Sequence, residues 1–521
     1  MTNLIITGQA LGIDDVVAVA LGRRRVELAP QAIAQITAAR AMIERIVAEE
    51  KIVYGVTTGF GALSKVHIPT GHLIDLQHNL VRSHAAGVGA PLPPAIVRAM
   101  LLLTAASLSR GASGVRVAVV KALIDLLNND IVPVVPSRGS VGASGDLAPL
   151  AHIALVLIGE GQATIRQPGS AIAGQDSSRA PAPQLVIPGG DALARAGLEP
   201  LQLEAKEGLA LLNGTHLMAG MGALLLHDAR RLLHAAEVAA VMSLEGALGT
   251  HAALDPRIHA LRTQPGQIAC AARLRALLHD SELPLSHFDD PRVQDPYSLR
   301  CIPQVLGSVR DALAYVEQVI GNELAAVTDN PLLFVEDADV LSGGNFHGQP
   351  LATALDLLAI LMAQIAGFSE RRSFLLLSAW EPEMHLTPFL TTQPGVQSGL
   401  MIAQYTAAAL VAEIRALAQP ASISSLPTSA GMEDWNSMGA TAALQAQQAL
   451  AMAQEVVAIE LLCAVQALEQ HRPLRSGRGV EAAYDRVRAR IPAPTVDRAP
   501  SPDIIALAQA IADGVFEELV E

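Results

Sequence analysis

The strongest constraint on how this chain folds is a helical period that returns along most of its length. Residues 97–127, 205–247, 308–327, 351–376, 398–418 and 440–470 carry apolar side chains at three- and four-residue intervals, with few β-branched alternations. Several of these stretches run past about 25 residues, beyond ordinary globular helices, and imply a large bundle whose helices bury one another. The fold class expected is all-α: a long central helix bundle preceded by a loop-rich region. The expected organisation is an N-terminal region over 1–205, a bundle over 206–480 and a helical tail over 481–521, reached through the Pro-punctuated stretch 492–502. Residues 163–191, with Pro168, Pro181, Pro183 and Pro188 among Ala, Gln, Ser and Gly, break the period and read as a surface excursion, a short hairpin.

Composition narrows what such a bundle does. At 51% hydrophobic the chain can bury a large core, and a mean hydropathy of +0.35 raises the question of a membrane. Apolar runs such as 217–226 and 357–368 are short or interrupted by polar residues, whereas a span needs about 20 apolar residues. No membrane segment is expected, and the apolar content is assigned to Ala- and Leu-rich helix interiors in an oligomer. Asp14 and Asp15 fall where a signal core would lie, so a cytoplasmic location is expected. A formal charge of −14 argues against nucleic acid, and Arg23-Arg24-Arg25 reads as a solvated edge. Cys270, Cys301 and Cys463, odd in number and widely spaced, read as reduced thiols. The histidines form no His-Glu-x-x-His and the cysteines no pair, so no metal site is expected. Gly87-Val88-Gly89 and Gly159-Glu160-Gly161 lack the strand–helix context of a nucleotide site.

One loop carries chemistry. Gly139-Ser140-Val141-Gly142-Ala143-Ser144-Gly145-Asp146-Leu147-Ala148-Pro149-Leu150 leads into a helix with Asp146 and Pro149 in its opening turn. With no side chain in its way, the Gly145 amide nitrogen can attack the Ala143 carbonyl; loss of water from that ring and from Ser144 leaves a methylidene-imidazolone with an electrophilic methylene. A helix N-terminus brings partial positive charge close to that ring. The tripeptide alone is no signal, because Gly111-Ala112-Ser113-Gly114 repeats it inside 101–127. There helical spacing points to small residues that let helices pack closely.

The whole segment 136–152 resembles the self-processing loop of the aromatic amino acid ammonia-lyases, the family of the histidine, phenylalanine and tyrosine enzymes. Tyr54-Gly55-Val56-Thr57-Thr58-Gly59-Phe60-Gly61, Leu211-Leu212-Asn213-Gly214-Thr215, Gln294-Asp295-Pro296-Tyr297-Ser298-Leu299-Arg300 and Gly343-Gly344-Asn345-Phe346-His347 also look like family motifs, in the family's order, from about residue 10 to about 475. The resemblance implies the ammonia-lyase/fumarase-like superfold, a ring made from Ala143, Ser144 and Gly145 with no external cofactor, and a homotetramer whose sites draw residues from more than one subunit. The chemistry then needs a base near the β-carbon, a carboxylate clamp and donors to the ring. Tyr54 is the expected base and Arg300 the clamp, since a guanidinium offers two parallel hydrogen bonds to a carboxylate. Tyr297, three residues earlier, shares the face of Arg300 on a helical turn. Asn213 and Gln294 are expected to donate to the ring and position the substrate, with Phe346 walling the pocket.

Substrate choice rests on His84, Met401 and Glu433, which match positions around the imidazole in the histidine enzymes. Glu433 weighs most, because the phenylalanine and tyrosine enzymes usually carry Gln there. L-histidine, converted to trans-urocanate and ammonia, is therefore the expected substrate of this carbon–nitrogen lyase. Tyrosine, phenylalanine or a modified histidine, and an aminomutase outcome, are the alternatives; a catalytically silent scaffold needs none of these residues. Some positions depart from the histidine pattern. Where those enzymes read Ser-Ala-Asn-Gln-Glu-Asp-His, this chain has Ser429-Ala430-Gly431-Met432-Glu433-Asp434-Trp435; Gln397 stands for Asn, His216 follows Asn-Gly-Thr, and Gly348-Gln349 follow His347. The mobile Gly-Ser-Ser-x-Met-Pro-x-Lys loop of the aspartase and fumarase enzymes is absent.

Overall fold

The helical period is realised. In the computed structural model, which describes residues 2–166, 184–287, 289, 291–379 and 381–519, helices make up 58% of the molecule and strands are few. The longest are His216–Gly246, Ile302–Glu323, Gln349–Ser378 and Gly439–Glu469. Their apolar residues are not confined to one stripe: Val238, Ala239, Ala240, Val241 and Met242 are consecutive and all fully buried. Such a helix is surrounded by protein on every side. Small residues permit the close approach, for a side chain on Gly246 would begin 2.9 Å from the Ala467 Cβ.

Two expected helices are interrupted. The stretch 97–127 divides into Pro94–Leu108 and Val117–Asn128, because Gly111 and Gly114 both take φ near +71° and turn the chain rather than continue it. A Cβ on Gly114 would lie 2.3 Å from the Ile43 Cγ1. The second Ala-Ser-Gly thus sits in a turn against the core, not in a helix. The stretch 205–247 divides likewise into Glu207–Leu212 and His216–Gly246, broken at Asn213-Gly214-Thr215.

The strands are short. Val88–Pro91 pairs antiparallel with Pro136–Arg138, and Gln162–Arg166 pairs antiparallel with both Val132–Pro133 and Gln184–Pro188. The ends of the Pro-rich excursion therefore pair as the two arms of a hairpin, while Pro168, Pro181 and Pro183 lie outside the described residues.

Two compact units are interleaved along the chain, with limits elsewhere than at 205 and 480. The first comprises Met1–Leu224, Gln318–Leu355 and Pro420–Ala443; the second comprises Leu225–Glu317, Asp356–Gln419 and Leu444–Glu521. Apolar continuity exceeds the sequence reading. Gln349–Ser378 and Gly439–Glu469 are long and apolar enough, by length and composition, to cross a membrane, yet 61% and 72% of their most apolar windows are buried in the protein. All three cysteines are free, two of them buried.

In the second unit one ion pair is fully enclosed. Arg372 Nη2 donates to Glu460 Oε2 at 2.8 Å, its Nε donates to Glu460 Oε1, and the Ser243 hydroxyl donates to the same Oε1 at 2.8 Å. Neither side chain has any exposure. Removing one partner strands a buried charge. Glu460→Leu is expected to lower stability by about 3–5 kcal/mol in chemical denaturation, and the double variant with Arg372→Met to recover most of that loss.

Candidate active site

The reactive loop is delivered by the strand Pro136–Arg138 and ends at the helix Leu147–Leu157, whose third residue is Pro149. Asp146 precedes that helix but its side chain does not cap it. The carboxylate turns instead to the start of His216–Gly246, where Oδ2 accepts from Leu217 N at 2.9 Å and Met218 N at 3.1 Å. Oδ1 accepts from the Ser140 hydroxyl at 2.8 Å. The group has no exposure, and burial pushes its carboxyl up to about 6 against the pull of those hydrogen bonds.

The Asn213-Gly214-Thr215 turn lies directly against the loop. Asp146 N donates to Gly214 O at 2.7 Å and Gly214 N to Ser144 O at 3.4 Å. Gly145 has φ +77°, and a Cβ there would fall 2.1 Å from Gly214 O, so the sequence position is closed to every other residue. From the opposite side Ser437 Oγ donates to Gly142 O at 3.1 Å and Met438 N to Val141 O at 2.9 Å.

Asn213 is buried, and its amide spends both protons: Nδ2 donates to Asp329 Oδ1 at 3.1 Å and to Asn330 O at 2.9 Å. It is left with Oδ1 as an acceptor, and the donation to a ring expected of it has no proton to use. Asp329 is held in turn by Lys206, whose Nζ lies 2.6 Å from Oδ2 with neither side chain appreciably exposed. Lys206 and Asp329 carry no local motif.

Glu433 reaches the loop. Ser144 Oγ donates to its Oε1 at 3.3 Å, while Thr428 Oγ1 donates to Oε2 at 2.7 Å. Between Thr428 and Glu433 the chain makes three successive left-handed residues, Ser429, Ala430 and Gly431, with φ 50°, 52° and 86°. Tyr54 is half-buried, and its phenol oxygen accepts from Gly61 N at 3.4 Å. Its loop is pinned rather than loose. Val56 is fully buried, Thr57 Oγ1 donates to Lys51 O at 2.7 Å, and Gly61 faces Ser429 Oγ at the turn before Glu433.

His84 ends the helix Leu73–His84, partly exposed, with Nδ1 on Leu80 O at 2.9 Å. Three residues on, Gly87 Cα stands 3.1 Å from where a Gly139 Cβ would be, so this turn abuts the reactive loop. Phe346 is half-buried. Its neighbour His347 bonds through Nε2 to Trp435 O at 3.0 Å and accepts from Gln349 N at Nδ1, 3.3 Å. Trp435 Nε1 donates to Gln349 Oε1 at 3.4 Å. Two of the departures from the histidine pattern are therefore in contact.

Tyr54, His84, residues 143–145, Asn213, Phe346 and Glu433 belong to the first unit; Gln294, Tyr297, Arg300 and Met401 belong to the second. In the second unit Asp295 accepts from Thr250 N at 2.7 Å and Arg292 Nη1 donates to Ala247 O at 3.1 Å, which leaves Gln294 and Tyr297 facing outward, Tyr297 68% exposed. Tyr297–Arg300 is one helical turn, and the guanidinium lies 4.5 Å over the Tyr297 ring. Arg300 Nε is buried without a hydrogen-bond partner among the described residues. Met401 opens the helix Met401–Leu417. Gln397 makes a local bond, its Oε1 accepting from Thr391 Oγ1 at 2.7 Å.

Residues 11–489 match the family model described as aromatic amino acid lyase. The histidine ammonia-lyase of Anaeromyxobacter dehalogenans is 50% identical over 99% of this chain and 100% of its own length. Among solved structures, histidine ammonia-lyase from Trypanosoma cruzi superposes with a TM-score of 0.88 at 38% identity, covering 99% of this chain and 95% of that one. Tyrosine aminomutase from Streptomyces globisporus superposes with 0.91 at 34%, covering 99% and 98%.

The contact between the two turns sets a test. Gly145→Ala forces Gly214 away and strains the backbone, an expected cost of about 1–3 kcal/mol in thermal or urea unfolding. Gly343→Ala, where a Cβ meets nothing within 4 Å, is expected to leave stability unchanged.

Proposed function

The chain belongs to the aromatic amino acid lyase family, and from that premise we propose that it deaminates L-histidine to trans-urocanate and ammonia. The observation that carries the reading is the 3.3 Å bond between Ser144 and Glu433: the one carboxylate assigned to imidazole recognition stands at the residue assigned to the electrophile. The relative that is 50% identical over its whole length carries the name histidine ammonia-lyase.

The family implies a methylidene-imidazolone at 143–145, and the residues present suit its formation. Gly145 is unobstructed by a side chain, its amide donates to no group among the described residues, and the loop is fixed from both sides by Gly214 and Ser437. Such a ring supplies an electrophilic carbon that eases departure of ammonia and acidifies the β-proton. The chain's own residues supply the rest. Tyr54 takes the β-proton. Arg300, stacked on Tyr297 and with its Nε unpartnered among the described residues, binds the carboxylate through paired hydrogen bonds. Gln294 and the Asn213 carbonyl orient the amino group, Phe346 and Met401 wall the pocket, and Glu433 with His84 pairs with the substrate imidazole. Gln294, Tyr297, Arg300 and Met401 join the site in a homotetramer whose active sites draw on more than one subunit. The cytoplasmic setting read from the sequence is part of the same proposal.

Purified protein incubated separately with histidine, tyrosine and phenylalanine is expected to generate the conjugated acid, followed by absorbance, from histidine; turnover of the others with none of histidine would overturn the substrate, and a β-amino acid product would mark an aminomutase. Ser144→Ala is expected to lose turnover by several orders of magnitude while melting like the parent. An active Ser144→Ala enzyme would exclude the ring.

A further inference from the structure

Behind the Asn213-Gly214-Thr215 turn the first unit holds a small cavity of about 10 Å³, lined among others by Ser107, Thr215, His216, Glu323 and Thr328. His216 is buried, and neither ring nitrogen has a hydrogen-bond partner among the described residues. A polar group buried without a partner is costly to the fold. Burial drives the imidazole's pKa down to about 4, so the ring is neutral and offers one donor and one acceptor. Glu323 is held on one side by the Thr215 hydroxyl, and Thr328 Oγ1 accepts from Thr215 N at 3.3 Å. The space is the size of one water, and its walls provide the two to four polar groups that a buried water requires.

We propose that this cavity holds a single ordered water joining the His216 ring to Glu323, and that His216 is thereby a positioning residue for the reactive loop. His216 is the first residue of the helix whose next two amides, Leu217 N and Met218 N, hold Asp146. Its ring also backs Gly214, since a Cβ there would lie 2.4 Å from His216 Cε1. A tie from Glu323 through water to His216 fixes both surfaces on which residues 144–146 rest. His216 touches neither substrate nor ring in this arrangement. Its effect passes through the placement of Gly214 and Asp146.

The inference rests on the lyase reading for its kinetic consequence alone; the water itself is tested apart from any substrate. A crystal structure of the parent that shows other internal waters should show one within hydrogen-bond distance of His216 and Glu323, and a dry cavity overturns the proposal. His216→Phe keeps the ring's shape and removes its nitrogens, and should lower kcat by about ten- to a hundredfold with KM changed less than about twofold, on whichever amino acid the parent deaminates. His216→Gln restores a donor and an acceptor and should recover most of that loss. A Phe variant as fast as the parent, or a Gln variant no better than a folded Phe variant, overturns the positioning role. If the Phe variant fails to fold, the Gln variant decides: kcat near the parent's with the water retained supports the proposal, and kcat reduced with the water retained overturns it.

Discussion

The first unit depends on one buried carboxylate. Asp146 is placed where three donors converge, two of them the unpaired amides that any helix leaves at its start. The helix they open is 31 residues long, and the bond therefore couples the reactive loop to one of the longest elements of the fold. Taking a carboxylate out of water is costly. Here burial outweighs the hydrogen bonds, since the group's pKa lies at about 6 rather than below the usual range. Near neutral pH it stays charged because the amides and the Ser140 hydroxyl replace water. Protonation on the acid side of 6 relieves the cost of burying the charge, so the raised pKa makes this carboxyl more favourable to the fold as pH falls.

Glycine conformation alone does not make a loop reactive. Gly111 and Gly114 take φ values close to those of Gly142 and Gly145, and both Ala-Ser-Gly copies sit in turns. Their surroundings differ. Gly114 faces Ile43 and Leu333, with Ala112 O accepting from Leu333 N at 2.9 Å and Gly114 O from the Arg40 guanidinium at 3.4 Å, so the second copy is packed against the core with its carbonyls already engaged. The copy at 143–145 is held by backbone and polar groups: Gly214 O, Ser437 Oγ and the Glu433 carboxylate. Beside 143–145 the clamps include a hydroxyl and a carboxylate, whereas the second copy is engaged by a guanidinium and a backbone amide.

The long helices were legible because period survives without knowledge of partners. Their breaks were less so. Residues 109–116 and 213–215 are short enough to be spanned by the period, and each break is centred on glycine at positive φ whose packing neighbours are distant in sequence. The chemical motifs located Tyr54, Ser144 and Glu433, and the structure brings the loops that bear them together. What sequence could not display is pairing across long separations: Lys206 with Asp329 behind Asn213, Asp146 with the amides of Leu217 and Met218, His216 beside Glu323. Each is a polar group buried by the fold, invisible until the fold supplies its partner. Asn213 shows the consequence, for its hydrogen-bond direction is fixed by Asp329 and Asn330, more than a hundred residues away.

The departures around Glu433 take their meaning from which way each residue faces. Gly431 has φ +86°, and a Cβ there would meet nothing within 4 Å. Asn, the residue usual at this position, is the other side chain that readily accepts that conformation. The change to glycine therefore preserves the turn. Met432 and Trp435 are 64% and 59% exposed, so the altered side chains point away from the loop, and Trp435 is received by another departure, Gln349. Glu433 and the fully buried Asn436 alternate inward. Asn436 Nδ2 donates to Thr428 Oγ1 at 3.1 Å, and Thr428 donates to Glu433. The Glu433 carboxylate is thus positioned by Thr428 and Asn436, which the substitutions do not touch, and the substitutions fall on exposed positions of the same segment.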